Sequence, residues 1–101
     1  MIAHFLGVDH VGHRYESNHP EMGEKLLQMN QVIEQVISVM DSDTILMVFG
    51  DHGSTDDGNH GGATEEELNA ALFLYSKKKI NQKILLKFAS MFSDNCTFAK
   101  N

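Results

Sequence analysis

An uninterrupted apolar run constrains the fold of this 101-residue chain more than any other feature. Residues 45–49 read Ile-Leu-Met-Val-Phe after Thr44, without alternation of apolar and polar positions. A strand that lacks this alternation is expected to be buried on both faces, as strands of a parallel sheet are. Gly50-Asp51-His52-Gly53 follows directly, so we expect charged side chains at the carboxyl end of an internal strand.

Periodicity predicts the elements that precede this strand. Residues 2–8 are apolar except for His4 and predict a buried strand, and the polar residues 9–18 predict a loop. Pro20 suits the first position of a helix, and apolar residues spaced three and four apart predict a helix from about His19 to Met40. Strand, helix and strand in this order predict a right-handed βαβ unit with parallel strands.

The second half of the chain predicts fewer regular elements. Residues 50–62 form a glycine-rich polar loop, and Thr64 with Glu67 predicts a capping box that starts a short helical turn. A third strand is expected at Ala70–Tyr75, with its direction left open. Apolar spacing then predicts a C-terminal helix whose shared face is Ile80, Ile84, Phe88 and Phe92. The sequence therefore predicts an α/β fold: a βαβ unit, a third strand and a C-terminal helix.

Charge and composition exclude several classes of protein. The net charge of -6 argues against a nucleic-acid partner, and a single cysteine excludes an internal disulfide. No apolar run approaches the roughly 18 residues of a membrane span, and we expect no targeting signal in this chain. Residues 1–76 hold two basic and 13 acidic residues, whereas residues 77–101 hold six lysines and one aspartate. We therefore expect 77–101 to be a separate basic segment.

Three short clusters carry the residues that suggest chemistry: Asp9 with His13, Asp51 with His52, and His60 among glycines. Carboxylates and imidazoles are usual ligands of zinc and also suit manganese. Each cluster alone is equally explained as a turn or a surface loop. The carboxyl ends of parallel strands share one sheet edge, however, so the predicted topology would bring all three together. Their conjunction favours a metal site.

The three clusters resemble the metal-binding signature of the alkaline phosphatase superfamily. The sequence resembles GPI ethanolamine phosphate transferases more narrowly, and their third type most. This closer resemblance extends over about residues 1–76 and is carried by His4–His10, His19–Met22, Lys25–Leu26, Gln28–Met29, Val32–Ile33 and Ala70–Ser76.

The resemblance implies a function and a set of ligands. Asp9, His13 and His60 would bind one zinc, and Asp51 and His52 a second. Members of the family transfer phosphoethanolamine from phosphatidylethanolamine to a mannose of the GPI precursor, here the third mannose. They act at the lumenal side of the endoplasmic reticulum membrane, and a small membrane partner subunit is expected for the complete enzyme.

The resemblance also implies what this chain is expected to lack. The family's threonine nucleophile and its membrane helices lie outside the matched region, so we expect a partial catalytic domain at 1–76 with no catalytic nucleophile. Asp51 and His52 are too few ligands for a tight site, so we expect at most one tightly bound zinc. Two alternatives remain: a soluble metallophosphoesterase or sulfatase-like hydrolase, and a truncated non-catalytic product.

Overall fold

The computed structural model of the chain describes residues 1–84 and 86–87. Its helices and strands form an α/β arrangement, and this confirms the predicted fold class. In chain order the elements are α1 (Gly7–Tyr15), α2 (Pro20–Val39), β1 (Ile45–Phe49), α3 (Glu65–Leu68) and β2 (Leu72–Ser76).

The long helix α2 begins and ends where its sequence signals predicted. Pro20 occupies the first turn, and the His19 side chain accepts a hydrogen bond from the Glu21 backbone N–H at 3.2 Å. In the turn after α2, Asp41 Oδ1 accepts from the Thr44 hydroxyl at 2.7 Å and from the Asp43 N–H at 2.9 Å. These bonds, the Thr44 hydroxyl first, hold the pKa of Asp41 below its ordinary value. The turn therefore leads directly into β1.

The sheet among the described residues consists of β1 and β2, paired antiparallel with Ile45 opposite Ser76 and Phe49 opposite Leu72. The predicted third strand is thus confirmed as β2, and its open direction is now assigned. An additional backbone bond from the Gly50 N–H to the Ala71 carbonyl, 3.1 Å long, extends the pairing past β1. The residues that link the two strands contain the candidate ligands His52 and His60.

The predicted first strand at residues 2–8 is wrong, and so is the loop predicted at 9–18. Residues 1–6 form no regular element, Ile2 is 98% exposed, and a helix, α1, begins at Gly7. An apolar run forms a strand only where another strand accepts its backbone hydrogen bonds, and among the described residues only β1 and β2 pair with each other. The βαβ unit is therefore not formed.

Helix α1 forms because its polar and small residues separate onto two faces. Val11 and Gly12 are buried, whereas His10 and His13 are exposed. The buried face of α1 packs on α2, where a Cβ atom at Gly12 would touch the Met22 side chain at 3.6 Å. His10 and His13 therefore lie outside the buried face of α1.

The loop after β1 lies against the C-terminal half of α1. Gly58 is buried with a φ of +77°, and a Cβ atom there would lie 2.2 Å from the Gly12 carbonyl oxygen. Beside this contact the Ser17 N–H donates to the Asp56 carbonyl at 3.1 Å, and the Ser17 hydroxyl donates to the Thr55 carbonyl at 3.2 Å. Backbone-to-backbone contact of this closeness fixes the loop on the helix.

The start of the basic segment packs on the turn between α2 and β1. The Lys77 ammonium donates to the Met40 carbonyl, and Lys78 forms an ion pair with Asp43. Residues 82–84 and 86–87 are helical. The rest of the predicted C-terminal helix, with Phe88 and Phe92, lies outside the described residues, so the division at residue 77 stays a prediction.

The apolar core of the described residues is small. Val11 and Met40 are its buried apolar side chains, at 8% and 9% exposure. Within 1–84 and 86–87 the structure contains no helix with both the length and the hydrophobicity needed to span a membrane. The positions of the loops therefore depend on hydrogen bonds and close backbone contacts as much as on apolar packing.

Replacing Gly58 by alanine should destabilise the chain by at least about 1 kcal/mol. A side chain at positive φ is strained by roughly that amount, and its Cβ would also collide with the Gly12 carbonyl. The matched control is Gly23→Ala, because Gly23 lies within α2 and a Cβ there meets nothing within 4 Å. This control should be neutral or up to about 1 kcal/mol more stable. Urea unfolding followed by circular dichroism measures both changes, and equal stability of the two variants would contradict the docking of the loop.

Candidate metal centre

Helix α1 places Asp9 and His13 next to each other. The two residues are four positions apart, and this spacing puts them on one face of a helix. Asp9 Oδ1 lies 3.4 Å from His13 Nε2. The predicted pair is therefore brought together by one helical turn and not by the end of a strand.

The docked loop brings His60 to this pair. His60 Nε2 lies 3.3 Å from Asp9 Oδ1 and 3.0 Å from His13 Nε2, although His13 and His60 are 47 residues apart in the chain. Two imidazole nitrogens at 3.0 Å make a hydrogen bond only if one ring donates and the other accepts. The two ring nitrogens therefore face each other across the position of one shared proton.

These three atoms fit the spacing of zinc ligands. Zinc bonds of about 2.0–2.1 Å in a tetrahedral site place neighbouring ligand atoms roughly 3.3 Å apart. The three separations among Asp9, His13 and His60 are 3.4, 3.3 and 3.0 Å. A carboxylate and two imidazoles are also a donor set that zinc accepts. The residues present therefore fit a metal ion, and binding it would displace the shared proton.

His52 joins the cluster from the end of β1. Its ring stacks on that of His60, with centroids 3.9 Å apart and planes inclined by 23°. The ligand atoms of Asp9, His52 and His60 all lie within 4.8 Å of one another. His52 Nδ1 is 2.8 Å from the Gly53 carbonyl, and a carbonyl accepts only, so Nδ1 carries the proton. The lone pair is then on Nε2, which is the tautomer that binds a metal through that nitrogen.

Asp51 lies at the outer side of the cluster. Its Oδ1 is 3.8 Å from His52 Nε2, and its side chain is 75% exposed. The structure therefore brings four of the predicted ligands close together and leaves the fifth beside His52, facing solvent. The metal-binding role of all five stays a prediction.

The cluster is open to solvent on one side. The side chains of Asp9, His13 and His60 are between 31% and 44% exposed. Such exposure keeps the carboxylate hydrated and leaves room for a further ligand from water or from a substrate. A catalytic metal site needs an open position of this kind.

The short helix α3 forms hydrogen bonds with the two loop segments that carry His52 and His60. The predicted capping box is confirmed, because Thr64 Oγ1 accepts from the Glu67 N–H and the Glu67 carboxylate accepts from the Thr64 N–H. Glu67 is buried at 8% exposure, and its carboxylate also accepts from the Gly62 N–H. Sequence reasoning treated Glu67 only as a cap. Nothing in the sequence indicates its contact with Gly62, because that contact depends on the path of the loop.

The sequence matches the family described as type I phosphodiesterase/nucleotide pyrophosphatase over residues 1–84. The chain belongs to this family. The match covers every residue of the cluster, from Asp9 to His60, and it supports an α/β piece of an alkaline-phosphatase-like domain.

Individual relatives show which proteins related to this family the chain is similar to in sequence. The chain is 58% identical over 76 residues to human GPI ethanolamine phosphate transferase 3, catalytic subunit, covering 75% of this chain and 7% of the relative. It is 51% identical over 78 residues to GPI ethanolamine phosphate transferase 3 of Saccharomyces cerevisiae, covering 77% and 8%. A GPI ethanolamine phosphate transferase 2 from Kluyveromyces lactis is 45% identical over 78 residues, covering 77% and 10%.

These relatives confirm the resemblance to GPI ethanolamine phosphate transferases of the third type. The chain spans less than a tenth of the length of the third-type relatives. No solved structure matches the chain. Family membership therefore rests on sequence, and the arrangement of the cluster rests on the distances given above.

The loop that carries His60 also contains Asp57, and the pKa of Asp57 depends on the hydrogen bonds within this loop. The side-chain hydrogen bonds of Asp57 to Thr55, first, and to Asn59 hold its pKa below 3.8. Because the folded pKa is lowered, this stabilisation is present above pH 3.8 and is lost as the pH falls through the folded pKa.

Thr55→Val should raise the pKa of Asp57 towards 3.8, because it removes the hydroxyl that binds the carboxylate. Carbon-13 NMR titration of the carboxyl groups measures the change. Ser54→Ala is the control for altering the same loop and should leave the Asp57 titration as in the unmodified chain. An Asp57 pKa that is the same in Thr55→Val and in the control would show that the hydroxyl does not hold the carboxylate.

Proposed function

We propose that this chain is the metal-binding part of a phosphoethanolamine transferase of GPI-anchor biosynthesis. The observation that carries the proposal is the convergence of Asp9, His13 and His60, whose ligand atoms lie 3.0–3.4 Å apart. Similarity to third-type GPI ethanolamine phosphate transferases supports the assignment of the reaction. The transfer from phosphatidylethanolamine to the third mannose of the GPI precursor is the form of the reaction that this similarity favours.

Two metal positions are proposed for the complete enzyme. Asp9, His13 and His60 would hold the first zinc, and Asp51 with His52 would contribute to the second. His52 is suited to this because its Nδ1–H is fixed on the Gly53 carbonyl and its Nε2 is free to bind. The stacking of His52 on His60 supports a pair of close sites, because neighbouring metal ions in two-metal enzymes are about 3.5–4 Å apart.

The residues of this chain would bind the metal ions and orient the phosphoryl group. The nucleophile would come from another part of the complete enzyme. When bound, a pair of zinc ions supplies Lewis-acid activation of an attacking hydroxyl and charge neutralisation of the leaving oxygen. Asp9 would lower the positive charge of the first site, while His13 and His60 would provide nitrogen ligands. The exposed side of the cluster leaves space for the phosphoryl group. The family's threonine nucleophile is expected to take phosphoethanolamine from phosphatidylethanolamine, with release of diacylglycerol. A mannose hydroxyl would then attack the phosphorus and release the threonine.

A phosphodiester hydrolase is the second candidate function. The description of the matched family, type I phosphodiesterase/nucleotide pyrophosphatase, favours it. The two reactions share the same metal chemistry and differ in the acceptor, which is water in one case and a sugar hydroxyl in the other. The similarity to transferases favours transfer, because it extends over three quarters of this chain and therefore far beyond the candidate metal ligands.

The proposed location and partners follow from the same similarity. We place the complete protein at the endoplasmic reticulum membrane, with this part on the lumenal side where the GPI precursor is modified. Membrane attachment and a small membrane partner subunit would belong to other parts of the complete enzyme. The chain alone should therefore show metal binding but no transfer of phosphoethanolamine.

Zinc titration of the full 101-residue chain should show one tight site. Three protein ligands are enough for a catalytic zinc, and two are too few. His60→Ala should weaken binding by about tenfold or more, since losing even an outer hydrogen-bond partner of a ligand can cost that much. His4→Ala is the matched control, because His4 is exposed and lies outside the cluster. Calorimetry that gives two tight sites, or equal affinity for both variants, would refute the ligand assignment.

Exchange of the matched segment tests the reaction itself. The 76-residue segment of the human third-type relative is replaced by the corresponding residues of this chain, and transfer of labelled phosphoethanolamine to a GPI precursor is measured. We expect transfer to be retained, and to be lost when the exchanged segment carries His60→Ala. A well-expressed exchange protein that hydrolyses phosphodiesters but transfers nothing would favour the hydrolase.

A further inference from the structure

Glu67 is the one buried charged residue among residues 1–84 and 86–87, and the proposed chemistry does not use it. Its carboxylate accepts three hydrogen bonds, from the Gly62 N–H at 2.9 Å, the Thr64 N–H at 3.1 Å and the Thr64 hydroxyl at 2.8 Å. A cap of a four-residue helix needs only the bonds to Thr64. The bond to Gly62 holds a different segment, the one that carries His60.

The backbone of the same residue holds the other histidine segment. The Glu67 carbonyl accepts from the Gly53 N–H at 2.9 Å, and the Gly53 carbonyl in turn accepts from His52 Nδ1 at 2.8 Å. A continuous path of two hydrogen bonds therefore runs from Glu67 to the His52 ring. Through its side chain the same residue reaches the backbone two positions after His60.

Both contacts are made at glycines where a Cβ atom would force a neighbouring group to shift. A Cβ atom at Gly62 would lie 2.4 Å from one carboxylate oxygen of Glu67 and 2.8 Å from the other. A Cβ atom at Gly53 would lie 2.0 Å from the Glu66 carbonyl oxygen. Close approach of this kind leaves little freedom in the distance between α3 and either histidine segment.

We propose that Glu67 is a positioning residue that sets the placement of His60 against His52, through its carboxylate on one side and its carbonyl on the other. The inference rests on the proposed metal centre, because positioning the two histidine rings matters for metal binding. The hydrogen bonds that hold the rings in place do not themselves involve a metal. Holding the two rings stacked at 3.9 Å keeps their ligand atoms close together before a cation arrives. Preorganised ligands bind metal more tightly than ligands that must be ordered on binding.

The charge of Glu67 suits this role. The Thr64 hydroxyl, followed by the Gly62 and Thr64 backbone N–H groups, holds the pKa of Glu67 below its ordinary value, and the nearby His60 contributes. The carboxylate is therefore ionised at neutral pH and able to accept at both oxygens. A glutamine at this position would present an NH2 group to donors that already face it, so at least one donor would lose its partner.

The test compares Glu67→Gln with Glu66→Gln in the full chain. Glu66 is the matched control because it neighbours Glu67 on α3 and its side chain is exposed. Proton NMR of the histidine ring hydrogens in metal-free protein measures the stacking, through the ring-current shifts of His52 and His60. Zinc affinity by calorimetry measures its consequence.

Glu67→Gln should reduce the ring-current shift of His60 by more than half and weaken zinc binding by about tenfold. Glu66→Gln should change neither quantity. Gly62→Ala should act like Glu67→Gln, because its Cβ and the Glu67 carboxylate cannot both keep their positions, and the bond between the His60 segment and Glu67 is broken while residue 67 stays glutamate. Backbone signals of α2 should be unchanged in all three variants, since α2 lies outside this network.

Several results would overturn the inference. The inference is wrong if Glu67→Gln leaves both the histidine ring-current shifts and the zinc affinity unchanged. It is also wrong if the variant loses the α2 signals together with the histidine shifts, because that result would show a general role in folding. A wild-type chain that shows the stacked rings but binds no zinc would instead refute the proposed metal centre. The positioning of the rings would then stand, so the two failures are distinguishable.

Discussion

The docking of the loop on α1 is the contact on which the candidate site depends. Gly58 lies against the Gly12 carbonyl, and Ser17 binds two carbonyls of the same loop. Few apolar side chains are buried in the described residues, so this arrangement is not simply a by-product of a large core. Without the docked loop, Asp9 would remain an exposed helical carboxylate and His60 would have no partner from α1.

Local signals predicted local structure well. The apolar period and Pro20 predicted α2 to within one residue at each end, and Thr64 with Glu67 predicted α3. These signals work because capping and helix periodicity involve residues only a few positions apart. The strand at 45–49 was predicted because its apolar run is rich in β-branched and aromatic residues and lies between turn signals. Its expected burial on both faces was wrong, because Ile45 and Phe49 are exposed.

Partners in the sheet could not be predicted in the same way. Residues 2–8 have the composition of a strand, but composition does not say which strand accepts its hydrogen bonds, and here β1 pairs with β2. The direction of β2 was open for the same reason. The segment from Gly7 to Tyr15 forms a helix instead, because Val11 and Gly12 share a face that packs on α2.

The cluster was predicted from residue types, although the predicted topology that would assemble it was wrong. Asp9 and His13 meet through one turn of α1 and not at a sheet edge, whereas His52 does follow a strand as expected. The sequence shows Gly58 only as part of a glycine-rich loop, and its close approach to the Gly12 carbonyl needs coordinates. Glu67 was likewise recognised as a cap, while its second contact to Gly62 depends on the path of the loop.

Zinc K-edge X-ray absorption of the zinc-loaded chain tests the central claim most directly. The account predicts nitrogen and oxygen neighbours at about 2.0–2.1 Å, with the multiple-scattering pattern of at least two imidazole rings. A spectrum of water oxygens without imidazole scattering would mean that these side chains do not converge on a metal, and the account would be wrong.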